Sequence, residues 1–313
     1  MNNTSFCQQL QGYIKSLNIK MKIENKSQNT ISSYMRTYKD FIEFCKQHEK
    51  ELSFKNLKEE DIYAYIEYKS MMMDKQGDIS ISTTNGIISH LKRLFKHIER
   101  NAEELYDFDR VFEDIKLKQP VRKPKGLSDE QVKKTLSYLE KLKQKETYTN
   151  FRNILLFKLM LFGGLRASEA VSIKLSCIKE DGELYKISFK GKGDKNRFTY
   201  IRVDDIEDEI STLRNVFNLS GDEYISKTVL DRHLDRIQLS KMVNSVYARA
   251  GVKVSGVHIL RHTAAKRLLA NGVSIVVVQS LLGHSSIQTT SIYANPTEDI
   301  VRKEMSGYKT SFQ

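Results

Sequence analysis

Apolar residues recur every three or four positions through much of the first third of the chain. Tyr34, Tyr38, Phe41, Ile42 and Cys45 form one such set, opened by Thr30-Ile31-Ser32-Ser33. Asp61 to Met73 carries Ile62, Tyr65, Ile66 and Tyr68, and Ser82 to Ile98 carries Ile87, Ile88, Leu91, Leu94, Phe95 and Ile98. This spacing puts one apolar stripe on each helix. With no proline and little alternation before residue 116, it predicts a small bundle of four or five helices.

The period changes after residue 183. Tyr185, Ile187 and Phe189 alternate with polar residues, Gly191-Lys192-Gly193-Asp194-Lys195-Asn196 reads as a turn, and Phe198, Tyr200, Ile201 and Val203 resume an extended pattern. A β-hairpin is predicted there. The surrounding sequence is helical. Ile154 to Phe162 is almost wholly apolar and stops at Gly163-Gly164, and Gly283 ends a second apolar run at Leu281-Leu282. The fold class expected is mainly α with a small β-hairpin or sheet, the second part an α+β domain.

Between the two parts lies Lys118-Gln119-Pro120-Val121-Arg122-Lys123-Pro124-Lys125-Gly126. Proline disfavours helix in the residue before it, and the lysines keep the segment in water. The expected division is a helical domain over 1–116, a linker over 117–126 and a second domain over 127–313.

Charge separates the parts further. The chain has 313 residues and a net charge of +12. Residues 1–119 hold 19 Lys and Arg against 18 Asp and Glu, leaving 32 against 21 for residues 120–313, a net of +11. So basic a second domain suits a polyanion, nucleic acid above all. Arg122, Lys123 and Lys125 in the linker, with Lys190, Lys195 and Arg197 around the hairpin, are candidate phosphate contacts. Cys7, Cys45 and Cys177 are far apart in sequence and suggest neither a disulfide framework nor a paired metal site. The polar start, Met1-Asn2-Asn3-Thr4-Ser5, and the lack of a long apolar run lead to an expectation of a cytoplasmic protein with no membrane role.

The candidate chemistry lies in the second part. Arg166 follows the Gly163-Gly164 helix stop. It could present its planar donor fork to a phosphate, or pair with Glu169. His258 and Arg261 are spaced i, i+3 and share a helix face, with Leu260, Ala264 and Leu268 on another. His284 follows Gly283 and could donate a hydrogen bond to a phosphate oxygen or act as a structural cap. Lys192, between two glycines at the hairpin tip, could protonate a departing oxygen. Tyr293 is one of 15 tyrosines. A phenol is a weak nucleophile until a base or a positive field activates it, and two arginines could supply that field.

Taken together, Gly164-Leu165-Arg166-x-x-Glu169, Gly191-Lys192-Gly193-x-Lys195-x-Arg197, His258-x-Leu260-Arg261-His262, Leu281-Leu282-Gly283-His284 and Tyr293 nine residues later resemble the tyrosine recombinases, most of all the Xer type. Thr30-x-x-x-Tyr34 and Leu91-Lys92-Arg93-Leu94-Phe95 are similar to that family's core-binding domain. The resemblance implies a two-domain clamp on duplex DNA, working as a tetramer, of one kind or with a paralogous recombinase, on two specific sites. A DNA translocase or accessory protein would be a possible partner. It implies Tyr293 as the nucleophile forming a 3′-phosphotyrosine, Arg166 and Arg261 on the non-bridging oxygens, His284 on the same phosphate, Lys192 as general acid and His258 assisting proton transfer. No metal and no cofactor are implied. Dimer resolution of chromosomes or plasmids, through a Holliday junction, is the role expected, and the modest length favours it because many phage integrases carry an added arm-binding domain. Integration of a transposon, phage or other mobile element is the alternative. A type IB topoisomerase, or a non-catalytic DNA-binding descendant, would retain parts of the same pattern.

Overall fold

The computed structural model describes residues 4–48, 51–73, 79–113, 115, 126–191 and 196–283. The chain forms two compact units, Met1–Val121 and Arg122–Gln313.

The first unit is helical: α1 (Thr4–Ile23), α2 (Gln28–Gln47), α3 (Glu59–Met73), α4 (Ile81–Asn101) and the single turn α5 (Asp109–Phe112). Ser27 and Ser80 start α2 and α4. Their hydroxyls accept from the backbone N–H of Thr30 and Thr83, pairing donors that a helix start leaves open. The expected stripes face inward: Tyr38, Phe41, Tyr65, Leu91, Leu94 and Phe95 are fully buried. Phe6, Leu10, Leu17 and Met21 of α1 complete this core. On the outer side of α4, Arg93 pairs with Glu24 at 2.6 Å. Lys92, Arg93 and Lys96 also line a groove of about 650 Å³ that reaches Phe112.

The second unit is built around α7 (Tyr148–Gly163), whose residues from Phe151 to Leu161 are nearly all buried. Around it stand α6 (Asp129–Lys143), the short α8 (Ala167–Ala170), α9 (Val203–Asn215), α10 (Arg236–Arg249), α11 (His258–Ala270) and α12 (Ile275–Leu282). A buried ion pair ties α7 to α9. Lys158 of α7 donates to both oxygens of Glu209 on α9, at 2.9 and 3.0 Å.

The expected hairpin is part of a three-stranded antiparallel sheet, β1 (Ile178–Asp181), β2 (Leu184–Lys190) and β3 (Asn196–Arg202), in that order. Tyr185, Ile187 and Phe189 face inward as expected. In β3 the register sets a phase that the sequence pattern left open. Register places Arg197 opposite Phe189, Thr199 opposite Ile187 and Ile201 opposite Tyr185, so these three turn inward. Phe198 and Tyr200 lie on the outer face, where Lys186 sits 5.3 Å from the Phe198 ring centroid. Val203 begins α9 rather than extending the strand.

Candidate active site

Two helices of the second unit end in the same way and close together. Gly164 caps α7 with φ 66° and Gly283 caps α12 with φ 59°. Both values lie in the left-handed region that glycine enters without steric cost. A Cβ on Gly164 would come within 2.5 Å of Leu282 Cδ2, so the two helix ends are in van der Waals contact only because that atom is missing.

A helix end leaves its last carbonyls unpaired and carries partial negative charge, which favours cations. Three guanidiniums collect here. Arg261 donates from Nη1 to the Gly164 carbonyl at 2.7 Å and from Nη2 to the Leu282 carbonyl. Arg166 donates from Nη2 to the Gly283 carbonyl at 3.2 Å. Arg197 donates from Nη2 to the Leu281 carbonyl at 2.6 Å.

One carboxylate anchors the group. Glu169 of α8 is 3% exposed, and its Oε1 accepts from Arg166 Nη1 at 2.7 Å and from Arg197 Nη1 at 2.6 Å. Its Oε2 accepts the Arg166 backbone N–H at 2.7 Å and lies 3.9 Å from Arg261 Nη1. Three positive groups around one buried negative group leave a local excess of two charges. The Arg166 side chain is 30% exposed and the Arg261 side chain 8%. An anion arriving from solvent therefore meets Arg166 first, with Arg261 behind it. The salt bridge that the sequence left as an alternative for Arg166 is present, and it holds the fork open to solvent.

His258 is the first residue of α11, one turn before Arg261. It is open to solvent on one side. Partial burial, and then the positive charges of Arg261, Arg166 and Arg236, hold its pKa below the ordinary histidine value. Both effects favour the neutral imidazole, the form that can accept a proton.

Arg166, His258 and Arg261 are therefore brought together as expected. Lys192, Lys195, Arg122, Lys123, Lys125, His284 and Tyr293 lie outside the described residues. Lys190 ends β2 on the exposed face, beside a groove of about 790 Å³ that Lys174, Lys186 and Phe198 also line. Arg197 borders the same groove, but from the inner face of the sheet. The sequence reading placed it at the DNA backbone, but the β3 register turns it inward, 13% exposed and bonded to Glu169 and Leu281. Glu169 was expected at most as a partner of Arg166; that it also binds Arg197 and lies near Arg261 was not foreseen. Among the described residues, no group of three or more His, Cys, Asp or Glu converges as a metal-ligand set. Nor is any helix of those residues long and apolar enough to cross a membrane.

Comparison with known proteins places this geometry. The phage integrase family pattern matches residues 125–299, and the N-terminal SAM-like domain of phage integrases matches residues 14–103. Tyrosine recombinase XerH of Campylobacter jejuni is 30% identical over 294 residues, covering 89% of this chain and 78% of that protein. Tyrosine recombinase XerD of Rickettsia conorii is 30% identical over 293 residues, covering 89% of this chain and 92% of that protein. The same fold occurs in the solved structure of XerH bound to its difH substrate before cleavage, with TM-score 0.72, 24% identity, and 97% and 85% of the two chains covered. A lambda integrase tetramer bound to a Holliday junction shares it with TM-score 0.66, 18% identity, and 91% and 76% covered. The chain belongs to the phage integrase family, the tyrosine recombinases, enzymes of site-specific DNA recombination.

Proposed function

We propose that this enzyme cuts and rejoins duplex DNA through Tyr293, with Arg166 and Arg261 holding the scissile phosphate. The observation that carries the reading is the convergence of those two guanidiniums at the paired ends of α7 and α12, directly before His284 in the chain. Groups fixed in advance around a site where charge develops stabilise it without reorganising at the moment of reaction. In the forward step the Tyr293 oxygen bonds to phosphorus and the bond to the 5′-oxygen breaks. His258 assists removal of the phenol proton, and Lys192 gives a proton to the departing 5′-oxygen. His284 donates to a non-bridging oxygen. In the reverse step the 5′-hydroxyl of a partner strand loses its proton and bonds to phosphorus, the bond to the Tyr293 oxygen breaks and the phenol regains its proton, restoring a phosphodiester. The phosphotyrosine conserves the ester, so no nucleotide is consumed.

The assembly proposed is four protomers, alike or with a paralogue, on two DNA sites by way of a Holliday junction. Solved relatives bound to a recombination substrate and to a junction support it. The first unit, with Lys92, Arg93 and Lys96 on α4, is proposed to hold the DNA flank together with the linker residues Arg122, Lys123 and Lys125, while Lys190 and Lys195 hold backbone near the hairpin. The role proposed is Xer-like resolution of dimeric chromosomes or plasmids in the cytoplasm, supported by relatives named XerH and XerD that align over most of their length. Integration of a mobile element would use the same chemistry.

The test is selection of a binding site from a randomised inverted-repeat library, followed by strand exchange between two labelled duplexes carrying that site. Recombinant products from both duplexes support the reading. Relaxation of a supercoiled plasmid lacking the site, with no exchange, would assign the protein to the topoisomerase mode instead.

A further inference from the structure

Arg197 lies where three separate stretches of the chain meet. Its strand starts at Asn196, four residues after Lys192 in the sequence, and its guanidinium carbon sits 5.0 Å from the centroid of the Phe189 ring on β2. From there Nη1 reaches Glu169 on α8 and Nη2 reaches Leu281 in the last turn of α12, both at 2.6 Å. Two glycines make the room. A Cβ on Gly191 would come within 2.5 Å of Arg197 Cδ, and one on Gly283 would overlap the guanidinium.

We infer that Arg197 is a positioning residue for the recombination reaction, joining the root of the Lys192 hairpin to the end of α12 that precedes His284. The inference rests on the functional reading above. A planar fork can serve two acceptors in different directions while stacked on a ring, which a single ammonium cannot. Arg197 also shares Glu169 Oε1 with Arg166. Each guanidinium keeps the other from a full ion pair, so Arg166 retains charge for a phosphate. Without Arg197, Glu169 would hold Arg166 alone, and neither the hairpin root nor the Leu281 carbonyl would be tied to it.

The test uses the full chain and five variants: Arg197→Met, Arg197→Lys, Arg197→Ala, Gly191→Ala and Gly191→Ala with Arg197→Ala. Arg197→Met keeps length and ring contact while removing the donors. Gly191→Ala removes no group and only pushes on the side chain. The probe is a nicked suicide duplex bearing the selected site, read as the single-turnover rate of covalent adduct at saturating DNA. An intact copy of the duplex gives Kd and its salt dependence. Arg197→Met and Arg197→Lys should each slow the adduct ~10²-fold, the cost of displacing a reacting geometry by about an ångström. The salt slope should be unchanged. Gly191→Ala should slow the wild type but not the Arg197→Ala protein. A wild-type rate in Arg197→Met would overturn the inference. So would a salt slope reduced by about one with weaker binding, the signature of a lost phosphate contact. Wild type giving no adduct would sink the functional reading rather than this placement. The placement is then decided by urea unfolding of the same cycle: coupling between positions 191 and 197 supports it and additivity overturns it.

Discussion

Arg166 Nη2 donates to the carbonyl of Gly283 at 3.2 Å, so the exposed arginine of the site and the residue before His284 hold each other in place. A phosphate reaching Arg166 acts on the same guanidinium that fixes the end of α12. Gly283 therefore has two reasons to lack a side chain: its φ of 59° and the Arg197 guanidinium against it. Gly283→Ala should cost ~1–3 kcal/mol from backbone strain alone. Urea unfolding would measure that loss, and adduct formation should fall with it.

Arg261 offers a sharper division between binding and chemistry. It is buried, and it pairs two carbonyls that would otherwise be left open. Arg261→Lys keeps the charge and loses the fork. Cleavage of the suicide duplex should drop ~10²–10³-fold, the usual cost of one transition-state donor, while Kd for the intact duplex changes little. Parallel loss of both would make Arg261 an ordinary DNA contact.

The ends of α7 and α12 were legible in the sequence because a glycine stop after an apolar run is a local signal, and both glycines sit at the caps. The pairing of His258 with Arg261 was legible for the same reason, since helical spacing alone sets it. The part played by Arg197 was not. Its direction depends on the register across residues 191–196, and in a strand a shift of one residue turns every side chain to the other face. Phe198 and Tyr200 alternate out of step with Ile201 and Val203, so the sequence pattern alone fixes no phase. The inward phase puts Thr199 where its hydroxyl donates to the Gly163 carbonyl at 3.0 Å, and Arg197 where Glu169 awaits it. β1 escaped notice because only Ile178 among its four residues is buried.

The Lys158–Glu209 pair tests the energetics of the second unit apart from its chemistry. Glu209 is wholly buried and Lys158 is 9% exposed on its side chain. Glu209 also accepts from Lys143 at 2.6 Å, and Lys158 lies 3.7 Å from Glu140. Glu209→Ala would leave the buried Lys158 ammonium with only that longer contact and should cost ~3–5 kcal/mol, whereas Lys158→Met with Glu209→Leu, in which Lys143 keeps Asp208 and Glu140, should cost much less. Chemical unfolding of the single and double variants would show the difference.

His258 gives a pH dependence with a definite sign. Burial and neighbouring arginines hold its folded pKa below the ordinary 6.5. Between the two values the unfolded chain binds more protons than the native one. Its contribution to stability is therefore complete above about pH 6.5 and fades as pH falls through the folded value. The His258 ring signal in NMR, assigned by His258→Gln, should titrate below 6.5 in the free protein. A midpoint above 6.5 would mean the arginines do not act on it.

The central claim is that Tyr293 is the nucleophile served by this arginine cluster. The most direct measurement is denaturation-resistant adduct on the suicide duplex, wild type beside Tyr293→Phe, with Kd measured on the same DNA. The expected result is adduct with wild type alone, equal Kd for both proteins, and Tyr293 recovered as the DNA-linked residue after proteolysis. Adduct persisting in Tyr293→Phe would contradict the account.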